Sequence, residues 1–286
     1  MTSAHRQSKQ WLLTLPSLAW LGVFFVIPSI LVIFTAFRPA DLQGGVGAGW
    51  TLDTLRAVSD PAYLPIVWRT VWLSGVTTFV CLALALPMTF QMARVGPRMR
   101  QVLLLLVVVP FLSNFLIRIF AWKSLLHPEG PLTRLLHWLH LIPEDALLLN
   151  HVGAVLLVLI YTQLPFAILP LYAAAEKFDF GLLDAARDLG AGPWRSFSKI
   201  FVPGVRRGFI SAALMVFVCS LGQYVIPQMV GGASDEMLGS KIAQRVFSDR
   251  NLPHASALAA GLMLAVLVPM LVIAAWQRFG RKEAAS

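Results

Sequence analysis

The chain has 286 residues, of which 57% are apolar and only 13% are charged, with a formal net charge of +9. A soluble globular chain carries about 25% charged residues, whereas the apolar excess here is gathered into six uncharged runs, 10–37, 70–93, 101–117, 146–175, 208–234 and 251–277. That pattern excludes a soluble enzyme, a disordered chain and an outer-membrane barrel, whose strands alternate apolar and polar residues; it leaves an all-α, polytopic membrane helical bundle.

A helix crossing about 30 Å of hydrocarbon needs roughly 20 residues at about 1.5 Å each. In chain order, the first span is predicted over 11–36. Its apolar stretch is too long for a cleaved leader and ends without an Ala-x-Ala site. A Gly-rich outer loop, 43–49, follows. The second span is predicted over 66–92, ending at a short basic loop, Arg94 to Arg100. The third is predicted over 102–123 as one helix, which places Arg118 about 24 Å from its start. An outer segment with a short amphipathic helix near 132–141 leads to the fourth span, 151–174. A polar segment, 175–207, precedes the fifth span, 208–230. A further outer helix, 238–247, leads to the sixth span, 255–277. Prolines 28, 87, 110, 165, 170, 227 and 269 lie in or beside these spans and predict bends, because each removes a backbone donor.

Charge orients the spans. With both termini cytoplasmic, the inner segments hold fourteen of the 23 basic residues and five of the 14 acids, which is the whole +9 excess. Basic loops resist translocation, so this asymmetry places the basic side inside. It also explains the net charge without nucleic acid. Cys81 and Cys219 fall inside apolar runs and read as buried apolar residues, with no disulfide framework.

Segment 175–207 has its own local logic. Asp179 is a helix cap, and Leu182, Leu183, Ala186 and Leu189 recur at helical spacing, predicting one apolar ridge. Gly190 and Gly192 end that helix, and Pro193 suits the first turn of the next. The residues alone allow two readings, a helix packed on lipid headgroups or on the bundle, and a docking element for another protein. Asp184-Ala185-Ala186, three residues, Gly190, nine residues and Ile200-x-x-Pro203 resemble the EAA motif of bacterial ABC importer permeases, Glu-Ala-Ala-x3-Gly-x9-Ile-x-Leu-Pro. Asp stands for Glu at 184 and Val for Leu at 202.

The resemblance extends to the spermidine/putrescine-type branch. It is carried by Val109-Pro110-Phe111-Leu112-Ser113-Asn114-Phe115-Leu116-Ile117-Arg118 with Ala121-Trp122, by Ala186-Arg187-Asp188-Leu189-Gly190-Ala191, and by Leu221-Gly222-Gln223-Tyr224-Val225-Ile226-Pro227 with Gly231-Gly232. Gln223 and Tyr224 replace the Glu-Phe usual there. The resemblance implies a type I ABC importer permease fold. It divides the chain into 1–64 (N-terminus, first span and outer loop), 65–277 (importer transmembrane domain) and 278–286 (cytoplasmic tail). It further implies a coupling helix in which Asp184, Ala185, Ala186, Arg187, Asp188, Leu189, Gly190 and Pro203 contact a cytoplasmic ABC ATPase. Two copies of that ATPase, a second permease of distinct sequence and a periplasmic solute-binding protein are the implied partners, in the bacterial inner membrane. ATP and Mg would reside on the ATPase, with no cofactor on this chain.

No Lys follows a Gly, so the chain has no P-loop and is not expected to be an enzyme. His137 and His140 have no further ligand in register, so no metal site is expected. The alternative, an ion-coupled secondary transporter, is disfavoured because no predicted span contains Asp or Glu. Candidate pathway residues are Asn114, Arg118, Trp122, Tyr161, Gln163, Gln223 and Tyr224, chosen as polar or aromatic groups within the spans; aromatic faces hold organic cations.

Overall fold

A computed structural model describes residues 14–41, 45–143 and 146–283, with side chains described through residue 268. Residues 11–13 of the predicted first span, part of the Gly-rich loop and the side chains of the tail lie outside the described residues. Every regular element among the described residues is helical. The chain forms two compact units, Pro65–Ser240 and a second made of Met1–Leu64 with Lys241–Ser286.

In the second unit, α1 (Thr14–Ala36) has 23 residues and satisfies the length and composition of a membrane span. It packs along α13 (Leu252–Glu283), a 32-residue helix that also contacts α2 (Asp53–Val58). α12 (Leu238–Phe247) occupies the bounds predicted for the outer helix. Tyr63 is buried and shares a hydrogen bond of 2.8 Å with His254 Nε2. Arg245 donates to the same Tyr63 oxygen at 3.0 Å and pairs with Asp249 at 2.8 Å.

In the larger unit, α3 (Leu64–Arg94) and α7 (Val152–Ala175) are long apolar helices near the predicted bounds. α7 packs against α10 (Arg206–Leu221). Their approach needs Gly208, because a β-carbon there would run into Ala174 and the Pro170 carbonyl of α7. One apolar cluster gathers Leu73, Ile119, Val155, Leu159, Ile226 and Met237; another gathers Cys81, Leu82, Ala167, Ile168, Ala212 and Val216.

Two predicted spans are broken. The third is not one helix over 102–123. It stops at α4 (Pro97–Leu112) and resumes as α5 (Phe115–Leu126), and the segment Phe115–Trp138, which includes α6 (Pro131–Trp138), runs at 91° to α4. The cause is local. Ser113 and Asn114 are extended, and the Asn114 side chain accepts from Leu116 N and Ile117 N, which starts a new helix. The straight-helix depth assigned to Arg118 falls with it. The fifth span likewise ends at Leu221, with Gly222–Tyr224 non-helical before α11 (Val225–Val230). α9 (Pro193–Gly204) meets α10 at 73°. By length and composition three described helices qualify as spans, or five if each bent pair is one.

Candidate functional site

The polar segment forms the predicted helix–turn–helix. α8 (Gly181–Asp188) begins where the Asp179 carboxylate accepts from Gly181 N at 2.9 Å. It ends in a Schellman turn. Gly190 N donates to the Arg187 carbonyl at 2.8 Å and Ala191 N to the Ala186 carbonyl at 2.9 Å. Gly190 has φ +83°, a left-handed conformation, with open space where a β-carbon would stand. Its requirement is therefore conformational rather than steric. Pro193 opens α9 as predicted.

The single apolar ridge is corrected. Leu183 and Ala186 point inward and are buried, whereas Leu182 and Leu189 are exposed, Leu189 at 89%. Ala186 therefore packs largely inward, with 9% of its surface exposed. The exposed face of this segment carries Leu182, Asp184, Ala185, Arg187, Asp188, Leu189 and, beyond the turn, Trp194 and Pro203. Asp184 and Arg187 approach to 3.6 Å, an exposed pair worth little to stability.

Beneath α8 lies a cluster of aromatic rings that sequence reasoning missed. Phe201 is fully buried and meets Phe90 at 4.9 Å, Phe178 at 5.3 Å and Phe197 at 5.6 Å, centroid to centroid. Phe180, Leu183, Ala93, Ala175 and Val205 complete it. Gly204 admits the Phe178 ring, which a β-carbon would displace. The signal was available as Phe178, Phe180, Phe197 and Phe201 bracketing the motif. Arg100 ties the same end of the bundle together, bonding Glu176 at 3.2 Å and the Ala93 carbonyl at 3.1 Å. Through this cluster α8 packs by side chains on Phe90 and Ala93 of α3 and on Ala175 of α7.

The pathway candidates fall at the start of and along α5, on α7, and in the break before α11. Asn114 is spent on the cap of α5. Gln163 is 1% exposed, with its Oε1 unpartnered, and is not among the residues lining the cleft around Tyr161. Gln223 and Tyr224 form the second break, where the Tyr224 carbonyl accepts from Ser240 Oγ at 3.3 Å and Gly239 packs closely on the Gln223 carbonyl. Tyr161 is different. It lines a cleft of about 630 Å³ with Met88, Gln91, Leu103, Phe111 and Leu164, and stands edge-on to Trp122 at 5.3 Å. The Arg118 guanidinium lies over Phe111 at 4.6 Å and Phe115 at 5.8 Å. The cleft-lining Met and Leu residues were invisible in sequence, because apolar residues facing a cleft, lipid or core read alike. Among the described residues no cluster of His, Cys, Asp and Glu is arranged to hold a metal.

The family model for "binding-protein-dependent transport system inner membrane component" matches residues 10–280. The spermidine/putrescine transport system permease protein PotB of Haemophilus influenzae is 35% identical over 254 residues, 89% of this chain and 88% of that protein. The protein of the same name from Escherichia coli is 31% identical over 258 residues, 90% of this chain and 93% of that protein. Among solved structures, a bacterial ABC transporter involved in import of the acidic polysaccharide alginate superposes with a TM-score of 0.66 at 16% identity, covering 97% of this chain and 96% of that one.

Proposed function

The chain belongs to the family of binding-protein-dependent transport system inner membrane components, the non-enzymatic permease subunits of ABC importers, and from that premise we propose that its cargo is a polyamine such as spermidine or putrescine. The observation that carries the cargo is the 31–35% identity, over about nine-tenths of the chain, to permeases named for spermidine and putrescine. The ion-coupled alternative gives way to the family. The acid-free predicted spans fit a machine whose energy comes from another subunit.

In this reading, six spans leave both termini in the cytoplasm, as the charge asymmetry requires, and 65–277 is the importer transmembrane domain. The face of Leu182, Asp184, Ala185, Arg187, Asp188, Leu189 and Gly190, with Pro203, seats one of two ATPase copies, which hold ATP and Mg. Ala186 supports that face from beneath. A second, distinct permease supplies the other half of the pathway, and a periplasmic binding protein delivers the cargo. ATP favours the outward-open state only through tighter binding to the closed ATPase pair.

The test is uptake of labelled spermidine into proteoliposomes holding the complete importer and its binding protein. Saturable, ATP-dependent uptake competed by putrescine is expected. Uptake of another solute that polyamines do not compete would overturn the cargo.

A further inference from the structure

Four polar side chains at the heart of the larger unit have unsatisfied atoms. Ser74 and Thr77 on α3, Gln163 on α7 and Ser220 on α10 are each at most 1% exposed. Ser74 Oγ, Thr77 Oγ1, Gln163 Oε1 and Ser220 Oγ have no hydrogen-bond partner among the described residues. A hydroxyl on a helix has a ready acceptor, the carbonyl four residues earlier. Thr70, Thr78, Thr89 and Thr162 use it, at 2.7–2.8 Å. Ser74, Thr77 and Ser220 do not, which leaves their hydroxyls to the space between helices.

Helix register brings the four groups to one level. Gly208 lies against Pro170, Leu171 and Ala174 near the end of α7, and Gly231, just past α11, lies against Val155 near its start. α10 therefore runs antiparallel to α7. Its stripe of Gly208, Ala212, Val216 and Ser220, each four residues apart, is buried along that contact. Counting the rise from Gly208 to Ser220 back along α7 from Leu171 reaches Leu159, about one turn before Gln163. Long side chains lean toward the start of their own helix, so Gln163 reaches back to the level of Ser220. Cys81 Sγ donates to the Ile160 carbonyl at 3.6 Å, which sets α3 beside the same turn of α7. Ser74 and Thr77 share the face of Cys81.

The chemistry of the four groups selects the occupant. All are uncharged, three both donate and accept, and the Gln163 oxygen only accepts. Without a carboxylate they make a poor cation site, and a seam between packed helices is narrow. Water donates twice and accepts twice, and a buried water makes about three bonds to groups that otherwise lack partners. Leaving such groups dry inside a membrane bundle is costly. We propose that the seam between α3, α7 and α10 is an internal water site, with water bridging Gln163 Oε1 to the hydroxyls of Ser74, Thr77 and Ser220. Apolar packing closes it on both sides. Leu73, Val155, Leu159 and Ile226 lie toward one end of the helices, and Cys81, Ala167, Ala212 and Val216 toward the other. The site is independent of the cargo.

X-ray radiolytic footprinting of the complete importer in nanodiscs tests it, because hydroxyl radicals formed from a bound water mark the side chains beside that water. Cys81, fully buried on the seam face of α3, is the reporter; Phe201, fully buried among rings, is the dry reference. Each rate is divided by the rate for the same residue in the denatured chain. Cys81 is expected to be labelled at least about tenfold faster than Phe201 on that scale. Labelling of Cys81 should fall about fivefold in the double variant Gln163→Leu with Ser220→Ala, and about twofold in the isosteric Thr77→Val, which serves if the double variant does not insert. Equal normalised rates for Cys81 and Phe201 in the wild type would overturn the proposal. So would wild-type labelling of Cys81 in the inserted variants, which would mean that the radicals arise elsewhere.

Discussion

Replacing Phe201 by Ala tests whether the aromatic cluster holds the coupling segment. Phe201 is fully buried and meets four other rings, at 4.9, 5.3, 5.6 and 6.2 Å. Removing a buried Phe side chain costs about 3–5 kcal/mol. α8 has eight residues, and isolated helices below roughly 12–15 residues are marginal in water. Its stability therefore comes from packing, with Leu183 seated in this cluster. A local loss of about 3 kcal/mol, at about 1.4 kcal/mol per tenfold, raises the opening equilibrium of α8 by about a hundredfold. Amide hydrogen exchange on the importer in nanodiscs reads this directly. Exchange across 181–189 should accelerate by about that factor, while 154–168 in α7 stays protected, and ATPase attachment should weaken. Leu189→Ala provides the contrast. Leu189 is 89% exposed, so its loss should leave exchange unchanged and still weaken attachment. Exchange across 181–189 within about threefold of wild type in Phe201→Ala would refute the reasoning.

Gly190→Asp places a β-carbon at φ +83°, costing about 1–2 kcal/mol. The permease should still insert and pair while ATPase co-purification and uptake fall together; co-purification at wild-type level with intact uptake would count against the coupling site. Reporter fusions after Lys123, His151, Arg195 and Lys241 should read outside, outside, inside and outside, and a cytoplasmic signal at His151 would defeat the six-span topology.

The amino-acid sequence by itself determined where the chain must meet lipid. A run of about 20 uncharged apolar residues has no stable place in water, and the proposed direction of crossing rests on the fourteen basic residues that cytoplasmic termini would gather on one side. It also determined the helix–turn–helix of 181–201, because the signals there are local: a carboxylate beside a free N–H, a glycine at a left-handed position and a proline at a first turn. The tertiary structure alone decided what hydropathy averages away. Asn114 and Gly222–Tyr224 interrupt the third and fifth apolar runs, yet each run is apolar enough to read as one span. The period of α8 placed Leu182, Leu183, Ala186 and Leu189 on one ridge, but only the tertiary packing decided that Leu183 and Ala186 face inward, Leu183 into the Phe201 cluster, and Leu189 outward. Likewise Arg118 was visible as a charge in an apolar run, while its partner was not. The ring of Phe111 lies seven residues earlier, across the break between α4 and α5, and which rings a cation meets follows from how the chain turns back on itself.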